Sequence, residues 1–456
     1  MWARIFAERP PRPSVSRADA RPWLTSCLHE RKRRPADLTP PPPRLRSLYV
    51  CYLSLDDPLV RTQVVAYVAG LARQGHVVHL LTFETARLTR ARRRALRAQM
   101  RAEGIAWHGL RYHKRPSLPA TVLDTLVGAV VSAWLVRRHR LGAVHARSHI
   151  PAAMALLARR LAPFQLLFDI RGILAEEYVD MGNWRRGSLP FRLTAGVQTA
   201  AIGRASGLVV LTHAVRRLLF SDDDDRVEVI PCCADVEAVH EAAARRDDVR
   251  ASLGLQDRTV LLYVGKLGGW YLQREMVEFY VRARAHVPNL HLLVLTQGDR
   301  ALIDEELRRF GVAESDCTVR SAPATEVPAY LAAADAALAF IRPTFSKVSS
   351  SPTKIGEYLA AGLPVVTGRG VGDVDDLLER YGTGIVLDDF TTDSLETGAQ
   401  ALAEAIGDAD QAGRARRCAQ DELSLRTVGI PAYERLYERL AGRVAPRRAA
   451  SEPVAG

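Results

Sequence analysis

The chain has 456 residues, 48% hydrophobic and 25% charged, with 63 Lys+Arg against 51 Asp+Glu and a formal net charge of +12. That length and apolar content suit two globular domains and exclude a wholly disordered or fibrous chain. The charge invites a nucleic-acid reading, but residues 1–46 alone hold eleven basic residues against four acidic ones, and nine of the 25 prolines. Such a segment buries too little apolar surface to offset its ordering entropy, so residues 1–45 read as a disordered Pro/Arg-rich arm and no nucleic-acid partner is expected. The arm lacks the apolar core of a secretory signal; it reads equally as another targeting segment or as translation from a start codon set too far upstream. Six cysteines show neither C-x-x-C spacing nor histidines at metal-ligand distance, which points to reduced thiols in a cytoplasmic protein and to no metal.

From Arg46 onward, short apolar runs alternate with amphipathic stretches. Strands are expected at Leu48–Leu53, Val77–Phe83, Ile105–Tyr112, Ala143–His145, Phe164–Ile170, Gly207–Leu211 and Val227–Ile230. Helices fall between them at Gln63–Gln74, Arg87–Glu103, Leu118–Val136, Pro151–Leu161 and Thr194–Ser206. Leu118–Val136 approaches the length and apolarity of a membrane span, but Asp124 interrupts it; a buried or partly interfacial helix is the better account. Residues 234–258 are polar, carry no clear strand and read as a linker. A second series then starts, with strands at Val260–Val264, His291–Thr296, Cys317–Ser321, Ala336–Phe340, Pro364–Thr367 and Gly384–Leu387 separated by amphipathic helices. A terminal helix around Pro431–Leu440 and a tail close the chain. The expected fold is therefore α/β: two Rossmann-like, doubly wound parallel-sheet domains, 46–233 and 259–430, facing a cleft where ligands bind.

The most informative segment runs from Ser349 to Val366. Ser351 is a suitable N-cap and Pro352 suits the first helical position, so a helix is expected to begin there and to stop at Gly362. Its free N–H groups make an anion site, with the hydroxyls of Ser349, Ser350 and Thr353 and the ammonium of Lys354 close by. Only five of the 63 basic residues are lysines (Lys32, Lys114, Lys266, Lys347 and Lys354), which weakly favours a role for each compact ammonium. Glu357 lies one turn below Thr353, where a carboxylate suits the paired hydroxyls of a ribose. An ordinary capped helix with a Glu–Lys pair is the plain alternative.

The stretch Ser351–Val366 resembles the nucleotide-sugar motif of glycosyltransferase family 4, retaining enzymes of the GT-B fold. The resemblance implies that this helix meets the donor diphosphate and that Glu357, the second acid of an E-x7-E pair, binds the ribose. The first acid of that pair, which usually contacts the transferred sugar, is replaced by Ser349. The loop Gly265-Lys266-Leu267-Gly268-Gly269 is similar to the family's glycine and basic-residue loop, with Lys266 as a phosphate contact. Trp270 and Tyr271 stand where a second basic residue is common, a charge that then falls to Lys354. In the first half, His145-Ala146-Arg147-Ser148-His149 and Asp169-Ile170-Arg171-Gly172 follow strands and so face the cleft. The Asp-x-Arg-Gly segment resembles one branch of the family.

Arg147 and His149 are expected on the acceptor side. Arg171 is read as a contact for a phosphate or carboxylate, and Asp169 or Glu177 as the group that orients or deprotonates an acceptor hydroxyl. A structural ion pair between Asp169 and Arg171 is the alternative. The adjacent acids Asp56 and Asp57 read as acceptor or metal contacts, or simply as solvated turn residues.

The resemblance covers about residues 46–440. It implies a retaining glycosyltransferase that moves sugar from a nucleoside-diphosphate donor to a glycan or lipid-linked acceptor in envelope polysaccharide or glycolipid synthesis. A donor site built from lysines, arginine and a helix dipole requires no metal or other cofactor. An epimerase on the same fold and a noncatalytic glycan- or membrane-binding relative are the alternatives. The basic helix at Arg87–Glu103 and the apolar helix after it point to an anionic membrane surface as a further partner, with the protein peripheral at its cytoplasmic face.

Overall fold

The computed structural model describes residues 44–444 apart from residue 114. The arm assigned to residues 1–45 lies outside the described residues except for its last two, as does the tail beyond 444.

Seven strands make the first sheet: β1 Arg46–Cys51, β2 Val77–Glu84, β3 Ile105–Arg111, β4 Ala143–Arg147, β5 Gln165–Asp169, β6 Gly207–Val210 and β7 Val227–Val229. Six make the second: β8 Thr259–Val264, β9 Leu290–Leu295, β10 Cys317–Arg320, β11 Ala336–Ala339, β12 Val365–Gly368 and β13 Gly384–Leu387. Their orders are β3-β2-β1-β4-β5-β6-β7 and β10-β9-β8-β11-β12-β13, with each neighbouring pair parallel. This is the doubly wound pair of domains that the alternation predicts. Parallel strands are covered by helices on both faces, which is why they read as continuous apolar runs. In β1, Tyr49 and Cys51 enter one core cluster, while Leu48 and Val50 enter the other. The strand order reverses between β1 and β4 and between β8 and β11, so the loops leaving those strands shape the ligand crevice.

Three departures from the sequence reading have physical causes. Residues 234–258 fold into two helices, Val236–Ala242 and Arg246–Leu253. Val236, Val239 and Leu255 join the second domain's core, so the polar stretch is a covering layer and not a bare linker. The terminal helix, Ile430–Val444, belongs to the first domain's core: Tyr433, Leu436, Tyr437 and Leu440 cluster with Tyr49 and Leu167. The helix predicted to start at Pro352 spans Thr353–Ala361, with Pro352 as an N-cap that offers no side-chain hydrogen bond. The Ser351 hydroxyl instead accepts a hydrogen bond from the Cys232 amide (3.0 Å).

The long apolar helix, Ser117–His139, lies on the first sheet. Ala129, Ala133, Leu135 and Val136 are buried there, and Asp124 points inward, 1% exposed. Its carboxylate accepts from the Tyr52 hydroxyl (2.8 Å) and the His113 amide (3.0 Å) and meets His113 Nδ1 at 2.6 Å. The acid that interrupts the apolar run is thus a satisfied buried group on the packed face.

Candidate active site

The glycine loop after β8 and the mouth of the helix Thr353–Ala361 meet at the second domain's switch point. Gly265 has a φ of +147°, and a Cβ there would stand 2.6 Å from Lys354 Nζ, so glycine lets the ammonium approach the loop backbone. Lys354 is 8% exposed. Its Nζ lies 4.2 Å from the Tyr263 ring centroid and 4.6 Å from that of Tyr271 and has no hydrogen-bond partner among the described residues. Burial lowers its pKa to about 7, only partly offset by Glu357. Glu357 is pushed up to about 7 by the same burial, against the pull of Lys354. A buried ammonium over two aromatic faces, without a counter-ion in contact, has the chemistry to receive an anion.

Lys266 is exposed on the loop, where its carbonyl accepts from the Tyr263 hydroxyl. Gly268 holds a φ of +76°, which continues the tight loop. Ser350 and Thr353 lie partly exposed at the helix mouth. The structure thus brings Gly265, Lys266, Gly268, Ser350, Thr353, Lys354 and Glu357 to one end of the second domain.

Ser349 is different. Its hydroxyl donates to the Ser346 carbonyl (2.7 Å) and accepts from the Ile173 amide of the first domain (3.2 Å). The hydroxyl is therefore consumed in a strut between domains, and the expected donor contact through it does not fit.

In the first domain, the residues after β4 and β5 form a charged interior cluster. Asp169 is 0% exposed. It meets Arg171 at 3.5 Å and His145 Nε2 at 3.8 Å, and accepts from the Tyr433 hydroxyl at 3.3 Å. Burial pushes its pKa up, but Arg171, His145 and Arg147 together prevail and hold it at about 2. So buried and so weakly basic a carboxylate does not deprotonate an acceptor; the ion-pair reading is the right one. Arg171 donates through Nη2 to Cys232 Sγ (3.0 Å), and its Nε has no partner among the described residues. His149, expected on the acceptor side, is 2% exposed. It pairs with Gln198 (2.8 Å) and is lowered to about 4, first by burial, so it is a core histidine. Arg147 is 7% exposed, and its Nε has no partner among the described residues. Asp57 caps the short helix after β1 through the Leu59 amide, and Asp56 pairs with Arg92 at 3.0 Å.

Glu177 alone of the proposed first-domain acids reaches the cleft. It sits on the helix Leu174–Asp180, facing the 3-10 turn Phe345–Ser349 of the second domain. That turn is pinned by Asp180, which accepts from the Ser346 amide (2.9 Å), and by Thr212, which donates to the Val348 carbonyl (2.7 Å). Asp373 adds a further clasp, accepting from the His213 and Ala214 amides at 2.6 and 3.0 Å.

Two residues at this junction escaped the sequence reading. Lys347 is 6% exposed with its ammonium 3.5 Å from the Trp270 ring centroid; its membership of the short lysine list was the only hint. Ser148 has φ +71° and ψ −177°, a conformation costly for a side-chain-bearing residue, and no local residue pattern announces it. A cavity of about 360 Å³ also lies between the domains, lined by Thr212, His213, Ser350, Ser351 and Asp373. Lys354 and Glu357 are not part of it.

Two parallel-sheet α/β domains in this arrangement are those of a GT-B glycosyltransferase. Residues 60–233 match the Glycosyl transferase 4-like domain family, and residues 258–408 match Glycosyl transferases group 1. The chain belongs to glycosyltransferase family 4. It is 28% identical over 305 residues to the GDP-mannose-dependent alpha-(1-6)-phosphatidylinositol monomannoside mannosyltransferase of Mycolicibacterium smegmatis, a match covering 63% of this chain and 75% of that protein. Its fold is similar to that of a Rickettsia africae glycosyltransferase (TM-score 0.65, 14% identity, 87% of this chain and 98% of that one). It is similar also to Anabaena HepE in complex with UDP and glucose (TM-score 0.61, 15% identity, 86% and 99%).

Proposed function

We propose that this glycosyltransferase is a retaining enzyme that takes its sugar from a nucleoside-diphosphate donor. It delivers the sugar to a hydroxyl of a glycan or lipid-linked acceptor in envelope polysaccharide or glycolipid synthesis. The observation that carries the donor reading is Lys354: a buried ammonium with no hydrogen-bond partner among the described residues, at a helix N-terminus and against a glycine that gives it room. A diphosphate supplies the missing charge, and the helix dipole and Lys266 stabilise it as it leaves, so no divalent metal or other cofactor is required. Glu357, one turn in, accepts from the ribose hydroxyls once ionised. Closure of the domains excludes water, whose attack on the donor is the competing reaction. The relatives, one GDP-mannose-dependent and one bound to UDP and glucose, support a nucleotide-linked donor.

The test is a panel of nucleoside diphosphates and their sugars, screened for thermal stabilisation in the presence of EDTA. At least one nucleoside diphosphate should stabilise the wild type, and Lys354→Met and Glu357→Ala should each weaken its binding by about 10- to 100-fold, the loss of a charge-assisted hydrogen bond. The anomeric configuration of the product, read by NMR, should match that of the donor. Conversion of the donor with no acceptor present would instead mark an epimerase, and no stabilisation by any nucleoside diphosphate would sink the donor reading.

We also propose that the enzyme works at an anionic membrane face on the cytoplasmic side, docked by the first domain. What supports this is the outer face of the helix Ser117–His139, where Leu118, Val122, Leu126, Val130 and Trp134 are all more than half exposed. The relative's acceptor, by its name, is a phosphatidylinositol mannoside.

A further inference from the structure

The cleft holds three polar groups that the donor site above does not use. Lys347, on the turn Phe345–Ser349, is 6% exposed and feels the carboxylates of Glu177 and Asp180; its ammonium lies 3.5 Å from the Trp270 ring centroid. Trp270 Nε1 is buried and has no hydrogen-bond partner among the described residues. Glu177 approaches from the other domain. A Cβ on Gly172 would come 2.2 Å from its Oε1, so the glycine clears the space this carboxylate occupies. Burial pushes Glu177 up and Lys347 down, and each is pulled back by the other's charge, yet the two do not approach within salt-bridge distance.

Buried polar groups are ordinarily paired, so the unpartnered Trp270 N–H beside a buried ammonium marks a place where a ligand completes the bonding. Here two donors and one acceptor converge from opposite domains, which suits a polyhydroxylated ring, whose hydroxyls both donate and accept. The cluster sits next to the diphosphate site, because Trp270 precedes Tyr271, the residue whose ring lies under Lys354. Its position is fixed from the first domain: Asp180 and Thr212 hold the turn that carries Lys347, and the Ser349 hydroxyl is spent on the same task.

We propose that Lys347 and Trp270 of the second domain, with Glu177 of the first, form the cradle for the transferred sugar, taking over from the acid that is absent at position 349. The inference rests on the nucleotide-sugar reading above. It makes the cradle complete only when the domains are together, so that sugar recognition and closure are one event.

The experiment compares, for Lys347→Met, Trp270→Phe and Glu177→Gln, the inhibition constant of the free nucleoside diphosphate with kcat/KM for sugar transfer. The diphosphate lacks the sugar, so its inhibition constant should stay within about two-fold of wild type while kcat/KM falls by about ten-fold or more. Trp270→Phe keeps the ring under Lys347 and removes only the N–H, which guards against a folding artefact. An inhibition constant that rises in step with the loss of transfer, or transfer that is unchanged in all three variants, would overturn the cradle. A wild type that binds no nucleoside diphosphate would instead overturn the donor reading on which it rests.

Discussion

Lys354 shows what the site costs the ligand-free protein. Its pKa drops from 10.5 to about 7 through burial, so the unfolded chain binds more protons between those values and stability rises with pH across that window. Glu357 rises from 4.5 to about 7 through burial, so the folded chain binds more protons between those values and stability falls as pH climbs toward 7. Together they carve a dip in stability centred near pH 7. The double variant Lys354→Met/Glu357→Gln should abolish the dip and stabilise the free protein near neutrality by about 1–4 kcal/mol, as when buried charges give way to neutral groups. It should also lose nucleoside-diphosphate binding. Urea melts from pH 5 to 9 check this; a variant no more stable than wild type at pH 7 would mean that the pair is better solvated than its burial indicates.

At the scale of elements, the terminal helix is the feature whose position matters most. Tyr437 is fully buried with its hydroxyl 3.1 Å from His145 Nδ1, and Tyr433 reaches Asp169. The chain's last helix thus supports the ends of β4 and β5, the strands that launch the first domain's cleft loops. Tyr437→Ala should destabilise by about 3–5 kcal/mol, the cost of emptying a large aromatic site in a packed core. A loss below about 1 kcal/mol in chemical denaturation would show that the helix is not integral to the first domain. The strands and most helices were legible in the sequence because parallel strands are short apolar runs and the helices between them have a 3.6-residue period. The destination of Ile430–Val444 was not, because amphipathicity says that a helix has a partner and not which one. The same limit separates the two halves of the site. Lys354 and Glu357 were readable from their spacing on a single helix. Lys347, on a turn, and Glu177, on a helix, lie 170 positions apart, and only the tertiary fold brings them together. Asp169 and His149 were misplaced because residues at the carboxyl edge of a sheet divide between cleft and interior, and sequence does not say which.

At the scale of the whole molecule, the question is which surface meets the acceptor. The net charge of +12 does not mark it, and neither does the Arg-rich helix Arg90–Ala102. That helix buries Leu96 and Met100 in the cluster with Tyr49 and Leu80, whereas Ser117–His139 packs in the cluster with Leu48 and Phe83. The two helices therefore lie on opposite faces of one sheet and do not form a joint basic and apolar patch. The apolar stripe has its own cations instead: Arg137, Arg138 and Arg140 are exposed at its end. If that face docks on lipid, burying one large side chain contributes about 1.5–3 kcal/mol, so Leu126→Glu or Trp134→Glu should cut binding to anionic vesicles by about ten-fold or more. Replacing Arg93, Arg94 and Arg97 with glutamate should matter far less, because those side chains face away from the stripe. Sedimentation with vesicles of anionic lipid at low salt reads both sets of variants on the full chain. The reverse ranking would assign docking to the basic helix, and a wild type that stays in solution would remove the membrane from the mechanism.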